Sequence, residues 1–265
     1  MRRIFYRNLD VIRRTMNYNV AMINMNSPEL DLEILNKTRE GSRIVICDGA
    51  YEKCISHFNR KNRQVYLIGD FDSIDKQMLE KVPKDITVVL KEDQQMNDLE
   101  KALILLEEHG SVEEEYVIMN GCTGGRFDHV VAATSKLIKY SRNRHHKKGF
   151  NLIGVSTSSI LLPVHPGETV ISTKGESLLR GGVGIFPFEG SLSKVRTEGL
   201  KYNINESMKM MIGDFVSTSN ELLHEDGDVH IFNNSTHSFI ISFHRSPTAG
   251  NLENLGHLDT LKKQQ

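Results

Sequence analysis

The sequence predicts an α/β chain in two parts. An N-terminal doubly wound, mainly parallel sheet domain is expected over residues 1–165, and a C-terminal all-β sandwich domain over 166–265. Three observations carry this. Short apolar runs alternate with helix-period segments through the first part, the pattern of strand–helix–strand units. Beyond residue 165 glycine, serine and threonine rise and helical periodicity disappears. Between the two, PVHPGETV (163–170) supplies the prolines and glycine of a boundary.

The runs are NVAMINMN (19–26), RIVICDG (43–49), VYLIGD (65–70), ITVVL (86–90), EYVIMN (115–120) and FNLIGVS (150–156). Continuous apolar runs of this length read as strands buried on both faces. In NDLEKALILLEEHG (97–110), Leu99, Ala102, Leu103 and Leu106 keep the helical period, with Asn97 as N-cap and Gly110 as stop. DHVVAATSKLIKY (128–140) reads as a second helix opening at Asp128. Later, SKVRTEG, DVHIFN and SFIISFH read as strands with one solvated face. RGGVG (180–184) reads as a turn, RNRHHKKG (142–149) as a solvated basic loop, and the polar tail from Ser246 onward as loosely held.

Composition narrows the function classes. The net charge of −1 gives no basic excess, so nucleic acid is not an expected partner. No apolar run approaches the roughly 20 residues of a membrane helix. Cys47, Cys54 and Cys122 form no C-x-x-C pair, which fits a reducing compartment. The first nineteen residues carry Arg2, Arg3, Arg7, Arg13 and Arg14 against the single acid Asp10. A mitochondrial presequence is the alternative there, but the stretch lacks serine, and a solvated arm on a cytoplasmic protein is expected.

The chemistry concentrates at strand ends. In GDFDSI (69–74), strand alternation would turn Asp70 and Asp72 to one side and Phe71 into packing. Asp48 follows RIVIC at an equivalent position, and Asp93 and Asp98 bracket the start of the 97–110 helix. Ligands of open α/β sheets bind beyond the carboxyl ends of strands. Carboxylates delivered there from several strands suit Mg²⁺, a hard ion that takes oxygen ligands and accompanies phosphates. Taken singly, each acid reads first as a cap or turn residue, and only together do they point to a metal. GCTGGRFDH (121–129) follows a strand and precedes a helix. Its glycines allow backbone N–H groups to approach an anion, and Arg126 can fork onto a phosphate. It is neither a Walker A loop nor the G-x-G-x-x-G fingerprint, and Asp128 there also reads as a plain helix cap.

CDGA (47–50), GDFDSI (69–74), DQQMNDLEKAL (93–103), GCTGGRFDH (121–129), GLKYNI (199–204) and STSNE (217–221) occur in one order across both parts. In this the sequence resembles the thiamin pyrophosphokinase (thiamin diphosphokinase) family. The resemblance implies transfer of a pyrophosphoryl group from ATP to the thiamin hydroxyl, with AMP released. It further implies an α/β catalytic domain, a β-sandwich, and a homodimer with sites between subunits. Asp48, Asp70, Asp72 and Asp98 match the family's Mg²⁺ ligands. Gln94, Arg126 and Asp128 match positions around the phosphates and the reacting hydroxyl, with Asp72 among the catalytic set. Nucleotide contacts are implied at Asp48, Gly49, Gly69, Asp70, Asp98 and Lys101, and at Thr123, Gly124, Gly125 and Arg126. Ser217, Ser219 and Asn220 match the thiamin-holding loop.

The sequence also departs from the family pattern. The usual D-G-G-A-N reads Asp48-Gly49-Ala50-Tyr51-Glu52, and D-Q-D-x-T-D reads Asp93-Gln94-Gln95-Met96-Asn97-Asp98. The chain has no tryptophan, so Phe239 is expected to stack on thiamin in place of the one late in the β domain of animal relatives. Two rivals remain at this point. A haloacid-dehalogenase-like phosphatase also places D-x-D after a strand, although Gly69 and Ile74 fit that motif poorly and GCTGGRFDH is then unexplained. A thiamin or nucleotide sensor without catalysis would account for Gln95 and Asn97.

Overall fold

The apolar runs become strands because each offers β-branched or long apolar side chains to both faces of a sheet. The computed structural model describes residues 4–109, 116–142, 151–174, 179–224 and 226–245. Its first half contains β1 (Ile4–Asn8), α1 (Asp10–Arg13), β2 (Val20–Asn24), α2 (Leu32–Asn36), β3 (Arg43–Cys47), α3 (Tyr51–Ile55), β4 (Gln64–Gly69), α4 (Lys76–Glu80), β5 (Ile86–Leu90) and α5 (Asp98–His109). Then follow β6 (Tyr116–Asn120), α6 (Phe127–Arg142), β7 (Leu152–Val155), β8 (Ser159–Val164), β9 (Gly167–Ser172), β10 (Leu179–Phe186), β11 (Val195–Glu198), β12 (Ser217–Glu221), β13 (Asp228–Asn233) and β14 (Phe239–Arg245).

The strands make a ten-stranded sheet, ordered β12-β10-β14-β8-β7-β6-β2-β3-β4-β5, and a four-stranded sheet, β1-β9-β13-β11. From β7 to β5 every pairing is parallel. β2 is flanked by β3 on one side and β6 on the other, so the order of connection reverses between β2 and β6. That is the switch point where doubly wound sheets open a crevice. From β8 onward the same sheet continues antiparallel. A mixed sheet with helices, followed by antiparallel sheet, is the expected fold class.

Two cores lie on the two faces of the long sheet. Ala21, Ile23, Val45 and Met119 pack with Leu103, Leu106, Leu137 and Ile138 of α5 and α6. On the other face Met22, Ile44 and Ile46 share a cluster with Ile34, Leu35, Tyr51 and Cys54, and with Ile171, Val229 and Ile231 of the small sheet. One core therefore runs under α2 and α3 and on beneath the second sheet. Glu100 of α5 ties the two helices on the first face, accepting from Lys136, Lys139 and Tyr140 of α6. Partial burial pushes its carboxyl up, but the two lysines outweigh this and bring it down to about 2.

Several expectations need correction. ITVVL forms a sheet edge, with Val88 45% and Leu90 55% exposed, because among the described residues no strand pairs beyond β5. RGGVG lies within β10, where Gly182 stands opposite Glu221 and Gly184 opposite Ser242. A Cβ on Gly184 would come within 2.8 Å of Ser242 Oγ, so this glycine serves close strand approach. The N-terminal stretch is not a solvated arm from Ile4 onward. β1 pairs in parallel with β9, and Leu9, Val11 and Ile12 are buried. The expected boundary at 163–170 falls at the short β8–β9 connection, but sheet membership does not follow it: β1 joins the small sheet, and β10, β12 and β14 extend the large one. Arg142 pairs with Glu189 and donates to Ser238 Oγ at 2.9 Å. The rest of the basic cluster, Gly110, Arg2, Arg3 and the tail from Ser246 lie outside the described residues.

Candidate active site

Parallel pairing of β3 with β4, Cys47 beside Ile68, brings Asp48 and the β4 exit to one edge. Gly69 makes this possible, since a Cβ there would lie 2.5 Å from Asp48 Cβ. Asp70 and Asp72 are not presented by strand alternation as expected. β4 ends at Gly69, and Phe71 takes a left-handed φ of 61° while packing against the core. The turn it makes brings the Asp72 amide to 3.5 Å from Asp70 Oδ1. Ligand oxygens of Asp48, Asp70 and Asp72 then lie within 4.8 Å of one another.

The three carboxylates are not equivalent. Asp48 is 1% exposed, and its Oδ1 has no hydrogen-bond partner. Its Oδ2 accepts only a long bond from the Ser73 amide, 3.5 Å. Burial pushes its pKa up, and the charges of Asp98, Asp72 and Asp70 add to the effect. Asp70 is held below its ordinary value: desolvation opposes this, but a bond from Gln94 Nε2 at 2.8 Å, the Asp72 amide and the Lys101 charge outweigh it. Asp98 stands outside the trio. The Nζ of buried Lys101 lies 3.1 Å from Asp98 Oδ1 and 3.8 Å from Asp70 Oδ2. Burial still raises the Asp98 pKa, since desolvation exceeds the help from Lys101. Asp93 is turned away to accept from the Gln95 amide at 2.8 Å. Asn97 accepts from the Glu100 amide at 2.9 Å, so it caps α5 as the sequence suggests.

Across the switch point, Gly121, Gly124 and Gly125 take φ values of +83°, +84° and +70°. Side chains there would strike Ser27, Glu29 and Pro28 respectively. The glycines thus admit the segment that follows β2, a packing role the sequence did not reveal. Gly49 likewise makes room for Asn26, which would lie 2.4 Å from its Cβ. Arg126 forks onto Asp128 through Nε (3.1 Å) and a terminal nitrogen (2.5 Å). The bond raises the Arg126 pKa and lowers that of Asp128. Asp128 is therefore the partner of an exposed arginine.

These elements border an open cavity of about 1250 Å³. Asp70, Asp72, Gln94, Asp98 and Lys101 line it on one side, and Gly121, Gly124, Arg126 and Asp128 on the other. Met25, Asn26 and Ser27, and Val130 and Ala133 of α6, complete the wall. Sequence reasoning missed these; their signal was only that NMNSPE also follows a strand. Asp48, Gly69, Thr123 and Gly125 are not among the residues lining the cavity.

The expected thiamin residues are not brought to the cavity. Ser217, Ser219 and Asn220 belong to β12, the opposite edge of the long sheet from β5. The Asn220 side chain is spent on the Tyr202 backbone, accepting at 3.1 Å and donating at 2.7 Å. Phe239 is 0% exposed within the core, so it cannot stack on a ligand. Its strand packs beneath the small sheet, and this position faces inward.

Residues 35–148 match the family model of the thiamin pyrophosphokinase catalytic domain, and residues 168–236 that of its vitamin B1 binding domain. The chain belongs to the thiamin pyrophosphokinase family. Thiamin pyrophosphokinase 1 of Caenorhabditis elegans is 29% identical over 181 residues, 67% of this chain and 70% of that protein. Thiamine pyrophosphokinase 1 of Oryza sativa subsp. japonica is 29% identical over 158 residues, 57% of this chain and 56% of that protein. Among solved structures, thiamin pyrophosphokinase from Candida albicans superposes with a TM-score of 0.75 at 18% identity, covering 92% of this chain and 93% of that one. The yeast thiamin pyrophosphokinase gives 0.71 at 19%, covering 91% of each. At such identities the structures share the fold.

The acids support one prediction. A carboxyl whose folded pKa is raised destabilises the fold once pH exceeds that pKa, and the cost is relieved as pH falls through it. Asp48→Asn should therefore raise the metal-free melting temperature at neutral pH, and the difference from wild type should shrink on acidification. Added Mg²⁺ should stabilise the wild type and leave the variant unchanged. Melting curves with and without Mg²⁺ check this; a Mg²⁺ shift preserved in the variant removes Asp48 from the metal site.

Proposed function

We propose that the protein transfers the pyrophosphoryl group of ATP to the hydroxyl of thiamin, giving thiamin diphosphate and AMP. The observation that carries this is the cluster of Asp48, Asp70 and Asp72 at parallel strand ends, two of whose members, Asp70 and Asp72, line one cavity with an arginine-bearing glycine loop. The unpartnered buried Asp48 Oδ1 and an all-oxygen donor set fit a hard divalent ion. Asp48, Asp70 and Asp72 would hold Mg²⁺, which when bound neutralises charge on phosphate oxygens. Asp98 acts beside them through Lys101.

Phosphoryl-type transfer asks a protein mainly for positioning and charge stabilisation. Gln94 and Lys101 fix Asp70 from two sides. The Gly121–Arg126 segment offers backbone amides and a guanidinium to the transferred group. Asp128 keeps Arg126 extended beside the cavity until phosphate oxygens replace it. Both Asp128 oxygens accept from Arg126, so we assign Asp128 orientation of that arginine. Gln95 leaves the acid set one charge short of the family pattern.

Thiamin recognition falls to the second half of the chain, the 166–265 unit. Because β12 lies far across the sheet from the acids, we place Ser217 and Ser219 of a partner subunit over each cavity, in a homodimer whose two sites are shared. Buried free cysteines accord with a cytoplasmic enzyme; among the described residues no helix is long and apolar enough to cross a membrane.

Incubation with ATP, Mg²⁺ and thiamin, with products resolved, should yield thiamin diphosphate and AMP in equal amounts. Inorganic phosphate from a phosphomonoester would indicate a phosphatase instead, and binding without turnover a sensor. Mixing folded, inactive Asp72→Asn and Ser217→Trp variants should restore partial activity, since random pairing creates some dimers with one intact site. No recovery despite demonstrated subunit exchange would place each site within a single chain.

A further inference from the structure

A loop built around glycine must be held by its neighbours. Gly121, Gly124 and Gly125 all adopt left-handed backbone, and glycine loses more freedom than any other residue when it is fixed. Phosphate recognition requires the loop amides to be in place before the nucleotide arrives. The parts that fix them come from the segment after β2. Ser27 Oγ donates to the Thr123 carbonyl at 2.6 Å and accepts from the Glu29 amide at 3.1 Å. The half-buried Glu29 carboxylate accepts through Oε2 from Thr123 Oγ1 at 3.3 Å, Thr157 Oγ1 at 3.5 Å and Ser158 Oγ. The Thr157 amide donates to the Glu29 carbonyl at 3.1 Å, and Thr123 Oγ1 also meets Ser156 Oγ. Gly124 supplies the space: a Cβ there would lie 2.8 Å from Glu29 Cγ.

We propose that Glu29 is a positioning residue for the nucleotide phosphates, clamping Thr123, and with it the 121–125 loop, onto the turn between β7 and β8. The proposal rests on the assignment of that loop to phosphate made above. Glu29 acts through Thr123, on the side of the loop away from the cavity. A carboxylate suits the task because one oxygen collects several hydroxyl donors, and a charged acceptor strengthens each bond about twofold over a neutral one. Glutamine preserves the shape but offers a single neutral oxygen, and its NH₂ group cannot accept from a hydroxyl.

The test compares Glu29→Gln, Thr123→Val, Thr123→Ser and the double variant Glu29→Gln/Thr123→Val in the full chain. ATP affinity is measured calorimetrically with Mg²⁺, alongside KM for ATP and for thiamin and the melting temperature. Glu29→Gln and Thr123→Val should each weaken ATP binding about tenfold, with the thiamin KM changed by no more than about twofold. The double variant should be little worse than either single one, because both remove the same bond. Thr123→Ser keeps the hydroxyl and should stay near wild type. A lowered melting temperature with unchanged ATP affinity in Glu29→Gln would make Glu29 purely structural and overturn the proposal. If Glu29→Gln does not fold, equal ATP affinity for Thr123→Val and Thr123→Ser overturns it. A wild type that binds ATP but makes no thiamin diphosphate defeats the proposed activity while the clamp is still judged on ATP affinity. A wild type that does not bind ATP overturns the clamp.

Discussion

Like charges crowded at one sheet edge are the constraint around which this fold is organised. Parallel register sets Asp48 against the β4 exit, and the turn at Phe71 adds Asp72. At separations under 4.8 Å, each pair of ionised carboxylates repels by on the order of 3–4 kcal/mol at an effective dielectric constant of about 20. The surroundings compensate in part. Lys101 reaches Asp98 and Asp70 from inside the sheet edge, and Gln94 donates to Asp70. Asp48 receives least: its Oδ1 has no hydrogen-bond partner.

The opposite wall is held by hydrogen bonds instead of charge. Asn24 and Asn120, at the ends of β2 and β6, bond to one another at 3.0 Å beneath the switch point. Asn120 also holds the Asp31 backbone on both sides, at 3.0 Å to its amide and 2.9 Å to its carbonyl. Asp31 caps α2 and pairs with buried Arg245, the end of β14. The segment that supports the glycine loop is thus anchored at both ends by buried polar groups, one of which comes from the last strand. Arg245 joins the network through a terminal nitrogen while its Nε has no partner, and these bonds tie the cavity rim to the docking of the second half.

Much of this was legible in the sequence, and the failures have physical causes. The strand–helix alternation, the Asn97 cap, the acids of GDFDSI and the position of GCTGGRFDH all depend on local pattern, and local pattern survives in one dimension. Strand order does not. Nothing in RGGVG says that Gly184 lies against Ser242, and nothing in the N-terminal arginines says that Ile4–Asn8 completes a distant sheet. Phe239 failed because an alternating strand has two faces and the sequence does not say which one is covered. Glu29 was invisible as an acid after a proline; it gains meaning only when the switch point brings it against Gly124.

The central claim is that the carboxylate trio and the glycine loop form one metal-dependent phosphate site. Calorimetric titration of a non-hydrolysable ATP analogue, with and without Mg²⁺, into the wild type and Asp72→Asn tests it most directly. Asp72→Asn conserves volume while removing one hard-ion ligand. The account predicts Mg²⁺-dependent binding to the wild type, weakened at least roughly tenfold in a variant that still melts cooperatively at a similar temperature. Equal Mg²⁺-dependent affinity in the two proteins would contradict it.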